Sequence, residues 1–392
     1  MNLSFASTHS PIGFYFKQSP RDFVVEEIPL YSFGGEGAHL ILKIRKKSLT
    51  TFEMLKILSA HLGIKESEIG YAGLKDKNAL SIQYISLPRH LAAPKIESFS
   101  HSNIKILSAT YHNNKIKLGH LKGNQFFIRL KKLNSFNAQK ILEVCSRVAQ
   151  VGIPNYFSYQ RFGKESDNYR LGLEIIEGKR KIRNKKIQNF LISAYQSYLF
   201  NQWLSLRIDI SHLIATTAPN LLSKALKFYL SCDEIPLEFH DIAYCKMLQK
   251  QPHFFKIFYG DFLCHYPFGK NFILDETSDL IAESGRFMRK ETAITGLLSG
   301  KKAKASEKEA GFLESKFLDS RIKSVGQRRY AWIFPENLSF YYKEQEAQGE
   351  MNFFLPKGAY ATNLLREIAH REIIEETKEE LESCENEILF GD

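Results

Sequence analysis

The stretch GYAGLKDKNALSIQ, residues 70–83, joins a charged turn with two glycines to a run of residues typical of a β-strand. In this turn Asp76 lies between Lys75 and Lys77, and neighbouring positive charges favour an ionised carboxylate. An ionised carboxylate suits a nucleophile or a base, but Asp is also common in ordinary surface turns. The residues of this stretch alone leave both interpretations open.

Strand and helix signals surround the turn. Short apolar runs rich in branched and aromatic residues predict strands at residues 23–25, 39–44, 82–87 and 126–130. Between the second and third of these strands, Thr50 and Glu53 have the spacing of a capping box. The sequence therefore predicts a helix that starts there, ends at Gly63 and has one apolar face, formed by Leu55, Leu58 and Leu62.

A second helix is predicted at residues 135–150. Apolar residues recur there at helical spacing and should form a buried face of Ala138, Ile141, Leu142, Cys145 and Val148. Within that face Cys145 is interpreted as a packed thiol and not as a nucleophile. The chain has five cysteines and no C-x-x-C pair, so neither a disulfide framework nor a zinc site is expected.

The pattern changes along the chain in a way that indicates a split core. After about residue 157 the sequence becomes basic and then helical, and an aromatic β pattern returns near residue 330. Residues 300–311 are predicted to be a surface loop. Strands at both ends predict one domain of residues 1–156 and 338–392, interrupted by an inserted domain at residues 157–337.

The charge distribution indicates a polyanionic partner. The net charge is +11, but residues 371–392 hold nine acidic side chains and two basic ones, so the rest of the chain has +18. Such a basic body suits nucleic acid, although a merely basic protein remains an alternative. The basic residues are densest in one segment, at Lys179, Arg180, Lys181, Arg183, Lys185 and Lys186. The acidic end is interpreted as a solvated helix or a frayed terminus.

Two further segments combine residue types that RNA-binding sites use. Within residues 112–129, Asn124 and Phe126 follow a glycine, where a ligand can approach the backbone and stack on the ring. Within residues 153–163, Arg161 is interleaved with three aromatic residues, as in single-stranded RNA recognition. A Gly-Asn turn before a core phenylalanine is the simpler explanation of the first segment, and a packed domain junction explains the second as well as RNA binding does.

Taken together, the segments resemble one family in order along the chain. The turn around Asp76 resembles the AG-x-KD signature at the catalytic aspartate of the TruD pseudouridine synthases. Four more segments are similar to motifs of that family: SPRDFVVEEIP (19–29), KLGHLKGNQF (117–126), IPNYFSYQRFG (153–163) and PKGAYATNLLREI (356–368). The resemblance implies an α/β (α+β) pseudouridine-synthase core, with a mixed or antiparallel sheet and helices, interrupted by a TruD-specific insertion domain.

The resemblance also implies an activity and roles for single residues. The chain is expected to isomerise uridine to pseudouridine at position 13 of certain transfer RNAs, with Asp76 as the catalytic carboxylate. Phe126 would stack on the flipped-out base, Asn124 would bind the base or orient the Asp76 loop, and Lys17 would pair with Asp76. Arg161 would contact RNA or tie the domains together.

Several expectations concern partners and location. The two lysines beside Asp76 are expected to contact phosphate or solvent. The reaction needs no metal and no cofactor. With no apolar run of membrane-spanning length and no signal peptide, no membrane partner is expected. The cysteines are interpreted as reduced thiols of a cytoplasmic protein. A monomer is expected because no coiled-coil or long heptad pattern appears.

Two other functions remain possible on the sequence. The first is a non-catalytic RNA-binding protein or RNA chaperone on the same fold, which would not need Asp76. The second is a metal-dependent nuclease, which would need a cluster of carboxylates, and Glu26 and Glu27 are the only attractive additions to Asp76. A nuclease would require Mg²⁺ and cleave its RNA, whereas a synthase would work in EDTA and leave the RNA intact.

Overall fold

The computed structural model describes residues 2–16, 19–163 and 165–373. Its strands are β1 (Phe23–Pro29), β2 (His39–Lys47), β3 (Gly70–Tyr71), β4 (Leu80–Pro88), β5 (Ile104–His112), β6 (Leu121–Lys131), β7 (Ile153–Pro154), β8 (Phe262–His265), β9 (Asn271–Ile273), β10 (Thr292–Leu298), β11 (Gln327–Tyr330), β12 (Trp332–Ile333), β13 (Glu336–Lys343) and β14 (Gln348–Pro356). Its helices are α1 (Thr51–Leu62), α2 (Arg89–Ala92), α3 (Ser135–Val151), α4 (Asn168–Ile176), α5 (Lys185–Thr216), α6 (Leu222–Leu230), α7 (Ile242–Lys250), α8 (Leu280–Met288), α9 (Lys308–Ser315) and α10 (Ala361–Ala369).

The chain forms two compact units. The first, here called the sheet unit, contains the described residues of 10–142, 337–357 and 368–373. The second, the helix-rich unit, contains those of 2–9, 143–336 and 358–367. The division into a catalytic domain and an insertion at residues 157–337 stays a prediction, because the units are defined by contacts and not by function.

The sheet unit is built on one eight-stranded mixed sheet. Seven strands follow the order β13-β14-β6-β1-β4-β2-β5, and β3 pairs with β4 outside this path. Neighbours along the path from β14 to β5 are antiparallel, except that β1 and β4 run parallel. The mixed α/β architecture predicted from the sequence is therefore confirmed.

Helix α1 begins and ends where the sequence predicts. The Thr50 side chain accepts a hydrogen bond from the Glu53 backbone N–H at 3.1 Å, and the Glu53 carboxylate accepts one from the Thr50 N–H at 2.6 Å. Gly63 ends the helix in the left-handed region with φ of 69°, which glycine adopts without steric cost. The apolar face of α1 packs against β2, and its buried members include Met54, Leu55, Leu58 and Leu62.

Helix α3 departs from its prediction at one position. Ala138, Ile141, Cys145 and Val148 are buried, but 48% of Leu142 is exposed. With 3.6 residues per turn, Leu142 falls at the margin of the buried stripe, and Val144 occupies the other margin and is buried instead. Burial raises the pKa of the Cys145 thiol to about 12, as befits a packed thiol.

The helix-rich unit is organised around the long helix α5. Phe200, Trp203, Leu204 and Ile208 of α5 are buried in its core. A second, four-stranded sheet of order β11-β10-β8-β9 packs beside the helix. The surface loop predicted at residues 300–311 is wrong for its last residues, because α9 already begins at Lys308.

None of the described helices is both long enough and apolar enough to cross a membrane.

Candidate active site

Asp76 lies in the loop between β3 and β4, and a buried lysine holds the backbone of that loop. Lys46, at the end of β2, is fully buried. Its ammonium group donates to the carbonyl oxygens of Leu49 at 2.6 Å and Asp76 at 2.9 Å, and it lies 3.4 Å from that of Lys75. All three donors of the ammonium group therefore point at backbone carbonyls, two of them in the Asp76 loop.

The position of Lys46 alters its acidity. Burial lowers the pKa of its ammonium group to about 8, and the nearby Asp76 carboxylate partly opposes this effect. The proton is thus held less firmly than in an exposed lysine.

A second set of contacts fixes the same loop from the start of α1. The backbone N–H of Lys75 donates to the Thr51 hydroxyl at 2.9 Å, and that hydroxyl donates to the Gln83 side-chain oxygen at 3.2 Å. Thr51 and Gln83 are both buried. The amide of the residue before Asp76 is therefore tied to α1 and, through the hydroxyl, to β4.

The side chain of Lys75 is buried in an ion pair. Its ammonium nitrogen lies 2.7 Å from Oε1 of Glu27, and the two side chains are only 7% and 1% exposed. The contact is ionic and lacks hydrogen-bond geometry at Oε1. The expectation that Lys75 contacts phosphate or solvent is wrong, because its ammonium group is buried in the ion pair with Glu27 on β1.

Glu27 also completes the sheet at the point where two parallel strands separate. The pairing of β1 with β4 reaches Glu26 opposite Ile82. At the next residue, Oε2 of Glu27 accepts a hydrogen bond from the backbone N–H of Tyr84 at 3.0 Å. The carboxylate therefore replaces a backbone acceptor and at the same time anchors Lys75.

Lys77, on the other side of Asp76, has a different environment. It pairs with Glu53 at 3.1 Å, and 56% of the lysine side chain and 44% of the glutamate side chain are exposed. Its ammonium group is thus accessible to solvent, as expected.

The strand register places Asn124 and Phe126 on the sheet face that holds Lys46, here called the inner face. One row of directly paired residues crosses this face, formed by Lys46, Ser81, Val25, Phe126 and Phe353. In the next row Asn124 is paired with Glu27. Side chains of paired residues project from the same face of a sheet. The structure therefore brings Asn124 and Phe126 to the face on which the Asp76 loop is anchored.

The environments of Asn124 and Phe126 differ. The side-chain oxygen of Asn124 is buried and has no hydrogen-bond partner in the part of the chain that the structure describes. Buried acceptors are seldom left unpaired, so this oxygen is a candidate for a ligand contact. Phe126 is 5% exposed, and its ring stacks on that of Phe353 with centroids 5.2 Å apart.

Arg161 belongs to the helix-rich unit, so it is not in the same unit as Asp76. It ends a short 3-10 turn, Tyr159–Arg161, and its guanidinium donates to the hydroxyls of Ser193 and Ser197 on α5. Its charge lies 5.2 Å from the Phe190 ring centroid, and burial lowers its pKa. Lys17 lies outside the described residues.

Sequence reasoning missed Lys46. On β2 the residues Leu40, Leu42 and Ile44 are buried on the inner face, and Lys46 continues that alternation. A lysine at a position where the alternation of the strand predicts burial is a signal that the sequence offers, because lysine is almost never fully buried unless it is paired.

The carboxylates considered for a nuclease are already engaged. Glu26 pairs with Lys43 at 2.6 Å, and Glu27 holds Lys75. Within the described ranges, no three His, Cys, Asp or Glu side chains are grouped so as to hold a metal ion.

The basic segment after α4 is exposed. Lys179 pairs with Glu177 and Arg180 pairs with Glu174, both at 2.6 Å. Asn184 caps α5 by accepting from the backbone N–H groups of Lys186 and Ile187.

Comparison with known proteins gives one consistent result. A family model described as tRNA pseudouridine synthase D (TruD) matches residues 2–183 and 241–368. The chain is 53% identical to tRNA pseudouridine synthase D of Wolinella succinogenes over 365 residues, which cover 93% of this chain and 97% of that protein. It is 47% identical to the protein of the same name from Helicobacter pylori (strain 26695) over 387 residues, covering 94% and 98%.

A solved structure supports the fold. A crystal structure described as that of a tRNA pseudouridine synthase D (TruD) from Methanosarcina mazei matches with a TM-score of 0.61 and 22% identity, covering 94% of this chain and 96% of that one. At this identity the likeness concerns the fold alone.

Proposed function

This chain belongs to the TruD family of tRNA pseudouridine synthases, and we propose that Asp76 is the carboxylate with which it isomerises uridine in transfer RNA. One observation supports this role above the others. Lys46, Thr51 and the buried Lys75–Glu27 pair fix the loop of Asp76, and the loop lies on the sheet face that presents Asn124 and Phe126. Holding a reactive group in one geometry is what catalysis by positioning requires.

The reaction is an isomerisation. The bond from C1′ to N1 of uracil breaks and a bond from C1′ to C5 forms, while C5 loses a proton and N1 gains one. A carboxylate can attack C1′, attack the base, or remove the proton of C2′. Each route needs the carboxylate form of the side chain.

Asn124 and Phe126 are proposed to bind the flipped-out base. Extruding a nucleotide from a stacked RNA costs a few kcal/mol, which contacts in the pocket must offset. The unpaired oxygen of Asn124 can accept an N–H of uracil, and the Phe126 ring offers a stacking surface. Because Phe126 is 5% exposed, we expect neighbouring side chains to move when the base enters.

The other expected roles are also proposals. Lys17 is proposed as a cation beside Asp76. Arg161 is proposed to contact RNA or to tie the domains together, and two serines of α5 in its own unit hold its guanidinium in place. The RNA target is proposed to be uridine 13 of transfer RNA, and the protein is proposed to act as a cytoplasmic monomer.

The test is to incubate wild type and Asp76→Ala with unmodified transfer RNA in EDTA and to map pseudouridine. We expect one modified position near nucleotide 13 with wild type and none with the variant. Lys77→Gln is a matched control, because it removes an exposed neighbour of Asp76 and should leave the product unchanged. Tight RNA binding by wild type without any pseudouridine would instead favour the non-catalytic RNA-binding protein.

A further inference from the structure

A groove beside β2 and β5 of the sheet unit is lined by cations. Its volume is about 690 Å³, within the range of ligand-binding clefts. Arg45 and Lys47 on β2, Lys105 on β5, and Arg21 just before β1 line it, and Glu97 is the acidic residue among its lining. Arg45 and Lys47 alternate with Lys46, so their side chains leave β2 on the face opposite the inner face.

These four cations are not neutralised. Within the described ranges none of them pairs with a carboxylate, a state they share with exposed lysines such as Lys56 and Lys65 but not with Lys43 on the same strand. The lining therefore carries an excess of positive charge, which attracts anions.

The strand register adds a second, independent observation. Arg45 on β2 is directly paired with Lys105 on β5. Like charges directly opposite each other destabilise a sheet. A pair of this kind becomes favourable when an anion lies between or above the two side chains, so the register itself points to an anionic ligand.

The groove lies beside the anchored loop. Leu80, which lines it, is four residues after Asp76 and is paired with Lys47. Four residues of chain span at most about 14 Å. Lys46 and its paired residue Ile104 on the inner face also line the groove, so the groove is not confined to the face of Arg45 and Lys47.

We propose that this groove binds the phosphodiester backbone of the substrate RNA next to the uridine that reaches Asp76. The inference rests on the proposed function. Phosphate contacts would set the position of the RNA strand without reading its bases, leaving base recognition to the inner face. The cations of the groove, on one side of the catalytic loop, would hold the RNA strand while the target nucleotide is flipped out.

The experiment compares two triple variants that remove the same charge. The groove variant is Arg45→Gln, Lys47→Gln and Lys105→Gln. The control is Lys56→Gln, Lys65→Gln and Lys224→Gln, at exposed positions outside the groove. Binding of unmodified transfer RNA is measured against salt concentration, and kcat and KM for pseudouridine formation are measured with both variants and wild type.

Each phosphate contact contributes roughly 0.7 to the slope of log K against log salt for a single strand, so three lost contacts should reduce the slope by about 2. At about 0.1 M salt the same slope corresponds to a loss of affinity of roughly 10- to 100-fold. We expect KM to rise accordingly, kcat to change little, and the control to behave as wild type.

Two outcomes would overturn the proposal. If wild type is active and the groove variant keeps the same salt slope of RNA binding and the same KM, the groove does not bind the RNA, while the enzyme function stands. An equal loss in the control means that net charge and not the groove is responsible. If wild type makes no pseudouridine but only the groove variant loses RNA binding, the enzyme function fails and the groove stands. The single variants Arg45→Gln and Lys105→Gln repeat the test should the triple variant fold poorly.

Discussion

Arg45, Lys46 and Lys47 follow one another on β2 but lie in opposite environments. Lys46 points to the inner face, where it is fully buried and donates to backbone carbonyls of the Asp76 loop. Its two neighbours leave the other face, are exposed, and line a groove without carboxylate partners in the described part of the chain. The phase of the strand, and not the residue type, decides whether a cation fixes geometry or remains available to a ligand.

The largest expected effect separates the two lysines that flank Asp76. In Lys75→Met the carboxylate of Glu27 is left buried without its cation, and removing one partner of a buried ion pair costs about 3 to 5 kcal/mol. In Lys77→Met the exposed pair with Glu53 is lost, with little effect on stability. Urea unfolding of both variants measures the difference. Equal losses in the two would mean that burial does not distinguish these pairs.

The next prediction compares Lys46→Met with Lys47→Met. The first leaves partly buried carbonyls of the Asp76 loop without their donor, and a displacement of about 1 Å at a reacting group can cost roughly 100-fold in rate. We therefore expect kcat to fall about 100-fold in Lys46→Met with KM nearly constant. Lys47→Met should raise KM and preserve kcat. A rise of KM alone in Lys46→Met would contradict the anchoring role.

A pH titration sharpens the role of Lys46. An unfolded lysine keeps its proton up to about pH 10.5, whereas the folded one, with its lowered pKa, releases it near pH 8. Between these values the unfolded state binds more protons, so the contribution of Lys46 to stability rises with pH. Catalysis should change in the opposite direction, because the neutral amine has lost its charge and one of its three donors.

We thus expect kcat to decline above about pH 8, whereas the contribution of Lys46 to the free energy of unfolding does not decline there. The loss should be smaller than in Lys46→Met, because the amine still donates to two carbonyls. Within the described ranges, the charged groups that act on Lys46 are Asp76, Lys75, Glu53 and Glu27. Lys46→Arg, which stays protonated, should remove the decline, and a decline that persists in this variant would assign the titration to another group.

Local patterns in the sequence predicted the elements but not the long-range pairs. Helix α1 follows from a capping box and a terminal glycine, which act within one turn of the chain. Lys75 was misplaced because its partner Glu27 is 48 residues earlier, and only the register of β1 against β4 brings the two together. The anchoring by Lys46 depends in the same way on tertiary packing, although the strand phase of Lys46 was visible in the sequence.

The smallest expected effect concerns the like-charged pair Arg45 and Lys105, on the face opposite the inner face. Arg45→Gln removes the repulsion with Lys105, so the free energy of unfolding of the protein without RNA should rise by about 0.5 kcal/mol. The gain should shrink at high salt, because ions screen exposed charges. Thermal unfolding at low and high salt measures it, with Lys56→Gln as the control. The same substitution should weaken RNA binding, because a bound phosphate can no longer gain free energy by offsetting the repulsion between Arg45 and Lys105. Lower stability at low salt would mean that Arg45 makes a favourable contact in the free protein, and the register would then no longer point to an anion.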